Sequence, residues 1–191
     1  MTTDASPPQT DSSARLGDAS PPRTGRAPDA EARLTAYLDG VGLEWELGGR
    51  PGEFIVTLPG EKKLRTVVSL LVRQRTTSLS GFVIRNADEN HEAFYRSLLR
   101  RNLRLSGVAY AIDTDGDVYL RGELPTTALD EEHLDQLMGV VLSASDDPFN
   151  ELLAIGFLGS MRKEWAWRVS RGESTRNLDA FRHLLEDGST E

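Results

Sequence analysis

Three carboxylates at alternate positions, Asp113, Asp115 and Asp117, close an apolar run that begins at Val108. Residues of that type at that spacing can do two kinds of chemistry. One carboxylate can attack phosphorus while a second handles the leaving-group proton beside magnesium, or the set can hold calcium. A third reading needs no chemistry, because Asp115-Gly116 between two apolar runs is a strong short-range sign of a β-hairpin. Upstream, Arg96, Arg100 and Arg104 recur every four residues with Arg101 beside them, a cationic stripe on one side of a helix. Downstream, Trp165 and Trp167 lie between Lys163 and Arg168, and Trp and Arg are favoured at binding hot spots.

The run Ala111-Ile-Asp113-Thr-Asp115-Gly116-Asp117 resembles the first motif of haloacid-dehalogenase-like phosphatases, and that resemblance implies a magnesium-dependent phosphatase using the Asp113/Asp115 pair. Against it, Asp117 stands where Thr is usual, and another carboxylate beside a phosphate would repel it. The motif also comes too late to be followed by alternating strands and helices, and no Gly-rich phosphate loop is present. As a calcium loop the segment has Gly116 at the fourth place rather than the sixth and no Glu at the twelfth. His91, His133 and His183 fall on separate predicted helices, and the chain has no cysteine. No complete catalytic constellation results, so the expectation is a hairpin turn, no enzyme, no metal and no cofactor.

The elements around these residues are legible. Phe94, Leu98, Leu99 and Leu103 recur at three- and four-residue steps and predict a helix packed on one side. Asn86 and Glu89 have capping-box spacing, which starts this helix near Asp88, and Gly107 ends it. Val108, Tyr110 and Ile112 then alternate as a strand, and Val118-Tyr119-Leu120 returns as its partner. Asp130-Glu131-Glu132 opens a helix striped by Leu134, Leu137, Met138, Val141 and Leu142, and Asp147-Pro148 restarts or bends it. Before this region come a helix from about Pro28 and strands over Leu43–Leu47, Phe54–Leu58, Thr66–Val72 and Leu79–Ile84, joined by short turns. The order predicts an α+β fold, a small antiparallel sheet with helices on one face. Leu178, Phe181, Leu184 and Leu185 predict a last amphipathic helix in a C-terminal extension over 160–191, which either packs back or forms an interface.

Charge is segregated. From Asp113 to Glu151 the only base is Arg121, whereas Arg162, Lys163, Arg168, Arg171, Arg176 and Arg182 dominate between Met161 and His183. Opposite faces of this kind invite docking of one copy on another or on a complementary partner. A net charge of −8 on 191 residues disfavours nucleic acid. Residues 1–27, where Asp4-Ala-Ser-Pro-Pro-Gln-Thr10 recurs as Asp18-Ala-Ser-Pro-Pro-Arg-Thr24, read as a disordered tail without a secretory signal. No segment has the length to span a membrane, and the expected location is cytoplasmic.

Five short motifs in order carry a second resemblance: Asp88-Glu-Asn-His-Glu92, Tyr95-Arg-Ser-Leu-Leu-Arg-Arg-Asn102, Gly107-Val-Ala-Tyr110, Asp115-Gly-Asp-Val-Tyr119 and Lys163-Glu-Trp-Ala-Trp-Arg168. Together they resemble the YbjN-domain family, in its high-G+C bacterial branch. The resemblance covers about Ala30 to Phe181, with the domain placed at 28–159. It implies a fold similar to type III secretion chaperones, often dimeric, which holds protein segments without chemistry and has no catalytic residues to carry over. The expected partners are a second copy and an unidentified protein. The expected contact residues are Arg96, Arg100, Arg104, Trp165 and Trp167.

Overall fold

The computed structural model describes residues 27–186. The tail expected over 1–27 therefore lies, but for Ala27, outside the described residues. Helix α1 (Ala27–Gly40) leads into strands β1 (Glu44–Leu47), β2 (Glu53–Pro59), β3 (Arg65–Val72) and β4 (Thr76–Ile84). Helix α2 (His91–Asn102) then precedes β5 (Val108–Ile112) and β6 (Val118–Pro125). A 3-10 turn (Thr126–Ala128) and helices α3 (Glu131–Asp146), α4 (Phe149–Gly156) and α5 (Leu158–Arg171) follow. A second 3-10 segment (Arg176–Phe181) and α6 (Arg182–Glu186) close the described chain.

The strands form one antiparallel sheet in the order β1-β2-β3-β4-β6-β5, as the short turns predict. Because β6 pairs with β4, the excursion through α2 leaves β5 at the sheet edge, beside that helix. Alternation sorts the side chains. Phe54, Val56, Leu58, Val68, Leu70, Leu79, Val118 and Leu120 are buried on the face packed by Leu34 and Leu38 of α1 and by Leu134 and Val141 of α3. The opposite face shows Val67, Ser78, Phe82 and Arg121 to solvent or leaves them half-buried. A bulge between Phe82 and Ile84 lets both Val83 and Ile84 point inward.

Local chemistry explains the boundaries. Asp130 caps α3, accepting the amide of His133 at 3.0 Å. Pro148 starts α4, as expected. The start of α2 differs from expectation. Its first residue is His91, after Asn90 in the left-handed region at φ 53°, and no Asn86–Glu89 capping box forms. Asn86 instead grips the β5–β6 turn, and the Glu89 carboxylate accepts the Gly159 amide at 2.6 Å, capping α5 from seventy residues away. Gly107 does not end α2 either. The helix stops at Asn102, and Gly107, at φ 75°, turns the chain into β5.

The C-terminal segment has its own apolar cluster, in which Met161, Leu178, Phe181 and Leu185 are buried against Leu153 and Ala154 of α4. The Trp motif is helical, within α5, and the predicted last helix is split into the 3-10 segment and α6. Among the described residues no helix is long and apolar enough to cross a membrane.

Candidate protein-binding site on helix α2

Helix α2 presents three different sides. Phe94 and Leu98 point into the core, where Phe94 meets Tyr95 and Phe157 edge-on with ring centroids 5.6 and 6.3 Å apart. One residue advances a helix by about 100°, so Leu99 cannot share the direction of Leu98. It does not: Leu99 is 65% exposed and Leu103 87% exposed, which corrects the single packed stripe expected of these four residues. With Glu92, Tyr95, Arg96 and Arg100 they border an open surface hollow of about 540 Å³. Two large aliphatic side chains held out in water, at the spacing of a helix seam, form the first half of the site.

The second half lies around the helix. Arg100, Arg101 and Arg104, with Arg96 at the rim, line a groove of about 590 Å³ whose other wall is Tyr110 of β5, Ser143 and Ala144 of α3, and Glu151 of α4. Arg101 donates from Nη2 to Glu151 at 2.5 Å, and the other oxygen of Glu151 accepts the Ser97 hydroxyl at 3.0 Å. Arg101 Nε is buried without a hydrogen-bond partner among the described residues. Arg96 pairs with Glu92 one turn back. Arg100 and Arg104, by contrast, have no carboxylate within 4.0 Å among the described residues. Two guanidinium groups of the groove therefore carry charge that no carboxylate among the described residues pairs with.

Two interactions keep this wall rigid. The Tyr110 hydroxyl donates to the Ala144 carbonyl at 2.5 Å, and burial pushes its pKa up to about 12. At the end of α2, the Asn102 side chain accepts the Tyr110 amide at 2.8 Å and donates to the Tyr110 carbonyl at 3.3 Å. Both backbone groups of an edge residue are thus satisfied as a neighbouring strand would satisfy them, which blunts β5 against strand addition.

The tryptophans stand elsewhere, since the groove walls include neither of them. Trp165 is half-buried against the C-terminal cluster with the Arg182 guanidinium 5.6 Å from its ring. Trp167 is 48% exposed, with Arg171 5.1 Å over its ring.

The acidic motif is structural. Asp113 Oδ1 accepts the amides of Asp115 and Asp117 at 3.0 and 2.9 Å, and Asp117 Oδ1 accepts the Asn86 amide at 2.8 Å. Gly116, at φ 84°, completes the turn, and a Cβ there would lie 2.5 Å from the Asn86 side chain. Among the described residues no three His, Asp or Glu side chains converge as a cation site. Nearby, hydrogen bonds from Arg85 and Ser160 hold the Asp88 carboxyl down at about 2, which ties the loop before α2 to α5.

The sequence pattern of one family covers residues 31–154, the greater part of the folded chain, and its description is "YbjN: Putative bacterial sensory transduction regulator". The chain belongs to the YbjN family. YbjN relatives include an uncharacterized protein of Mycobacterium tuberculosis that is 50% identical over 137 residues, which span 72% of this chain and 75% of the relative. Another, from Mycobacterium leprae, is 47% identical over 133 residues, 70% of this chain and 72% of that one. Among solved structures, the fold matches a chain of the ExsC-ExsE complex with a TM-score of 0.50 at 18% identity, covering 66% of this YbjN chain and 95% of that one. A type III secretion chaperone of Yersinia pestis, SycH, in complex with a fragment of YscM2, aligns with a TM-score of 0.42 at 21% identity over 60% of this chain and 96% of that one. The YbjN domain thus has an α+β fold, an antiparallel sheet flanked by helices, shared with a chain of the ExsC-ExsE complex.

Proposed function

We propose that this YbjN protein is a non-enzymatic, chaperone-like module of the cytoplasm that associates with itself through the outer side of α2 and holds a protein partner. The observation that carries the reading is the exposure of Leu99 and Leu103 beside Arg96 and Arg100. Exposed aliphatic side chains in a row cost solubility unless something covers them. A second α2 running antiparallel is a complementary cover. It lays Leu99 of one copy against Leu103 of the other, and it opposes the two helix dipoles. The fold likeness to a chain of the ExsC-ExsE complex supports the partner-binding part, since that structure is a complex. The half-exposed Trp167 on α5, with Arg171 over its ring, is a second, separate contact point, and Trp165 packs against the C-terminal cluster on the same helix.

Sedimentation velocity over a range of concentrations tests self-association. The native chain is expected to shift from monomer to dimer. The double substitution Leu99→Glu and Leu103→Glu places charge in the covered seam and is expected to weaken the dimer on the order of a hundredfold or more. Its circular dichroism spectrum should be unchanged, because neither side chain supports the core. A native chain that stays monomeric, or a variant that dimerises as before, contradicts the proposal.

A further inference from the structure

Beside the apolar seam, the arginine groove makes a more specific demand on its occupant. Among the described residues, Arg100 and Arg104 of its lining have no carboxylate partner, and Arg101, already tied to Glu151, keeps its buried Nε unsatisfied. Arg100 lies in the last turn of α2 and Arg104 in the turn just past its end, where the Arg104 amide bonds to the Arg101 carbonyl at 2.9 Å, so the two side chains leave the chain roughly one helical turn apart. Acidic side chains two apart on an extended peptide lie about 6.6 Å apart on one side, so an acid-x-acid pair spans the two guanidinium groups. Asp147, 4.0 Å from Lys62, and Glu151, paired with Arg101, share the groove and limit the anionic charge it accepts, which favours two carboxylates over a continuous polyanion. Its border with Tyr95, Leu99 and Leu103 adds apolar surface for residues flanking such a pair.

We infer that the groove between α2 and the α3–α4 corner is a binding site for an acidic segment of a partner protein, with alternate Asp or Glu residues paired to Arg100 and Arg104. This deepens the protein-binding reading and rests on it, but it does not depend on self-association. The same two arginines could meet the acidic β5–β6 turn of a second copy, and the test separates that outcome.

The experiment titrates the full chain into a fluorescein-labelled peptide that alternates Leu and Asp, with its Leu/Asn counterpart as control, and reads anisotropy. Saturable binding of the acidic peptide, at least tenfold tighter than the Asn peptide and weakening with salt, is the expected result. Arg100→Glu with Arg104→Glu should remove that preference while the dichroism spectrum and melting temperature stay native, since both side chains are exposed. Asp147→Asn, which removes a repelling charge from the wall, should tighten binding severalfold. The titration is made at chain concentrations below those at which sedimentation velocity detects a dimer, so failure of the dimer and failure of the groove are read separately. Equal affinity for both peptides, an unchanged preference in the arginine variant, or displacement by single-stranded DNA at equal charge concentration overturns the inference. Binding seen only between copies, and abolished by Asp115→Lys, the one carboxylate of the β5–β6 turn whose side chain makes no hydrogen bond among the described residues, also overturns it.

Discussion

Phe94→Ala should lower the melting temperature by roughly 10 °C, whereas Leu103→Ala, in the turn that ends the same helix, should shift it by no more than about 1 °C. Phe94 is fully buried, and its ring is pressed between Phe157 and the backbone of Gly156, where an added Cβ would come within 3.0 Å of it. Truncating such a side chain costs about 3–5 kcal/mol through lost transfer energy and the cavity left behind. In a domain of this size each kcal/mol moves the midpoint by about 2–4 °C. Leu103 is 87% exposed, so its removal leaves no cavity. A thermal melt of both variants, followed by circular dichroism, measures the contrast. Comparable losses would mean that Leu103 is part of the core, and the seam on α2 would disappear with that result.

Asp146→Ala is expected to destabilise the chain by about 3 kcal/mol in urea unfolding. Asp146 sits buried at the end of α3, and its Oδ1 accepts the amides of Lys62 and Lys63 at 2.9 and 2.8 Å, which fixes the β2–β3 turn onto the helix. Gly60 lies so close that a Cβ there would be 2.4 Å from the same oxygen. Burial alone would raise the Asp146 pKa, but the amide hydrogen bonds from the turn outweigh it and hold the carboxyl below its ordinary value. A depressed carboxylate contributes stability above its unfolded pKa and loses it as pH falls through the folded value. The gap between native and Asp146→Ala midpoints should therefore be full near pH 7 and shrink below about pH 4. A gap independent of pH would show that the ionised form is not what holds the turn.

Much of this architecture could be read in the residues because local and global preferences agree. The Asp115-Gly116 pair makes its hairpin, Asp130 caps α3, and Pro148 opens α4, each from chemistry contained in a few neighbouring positions. Where the reading departs from the structure, a distant partner has taken over a local signal. Glu89 has the spacing to cap its own helix, yet it caps α5, and Asn86 holds the hairpin tip instead. No periodicity reveals such long-range exchanges. The seam on α2 was hidden differently. Phe94, Leu98, Leu99 and Leu103 satisfy helical spacing as a set, but adjacent Leu98 and Leu99 point about 100° apart, so one helix face cannot bury both with equal ease.

For the site, the arginine repeat showed which side chains lie near one another but not that they face a groove, which depends on where α3 and α4 turn. The Arg101–Glu151 pair and the clasp of Asn102 on Tyr110 join residues 50 and 8 positions apart. Nothing in either local pattern announces them. Trp165 and Trp167 looked equivalent in sequence, and the C-terminal cluster distinguishes them by half-burying one and leaving the other at the surface.

Helix α2 is the surface on which we propose that this protein meets other chains. A photo-crosslinking amino acid placed at Leu99, with a second one at Ile112 on the exposed end of β5 as control, tests it directly in living cells. Crosslinks are expected from position 99 to a second copy or to a partner protein, with few from position 112. Abundant crosslinks from position 112 with none from position 99 would contradict it and move the binding surface away from α2.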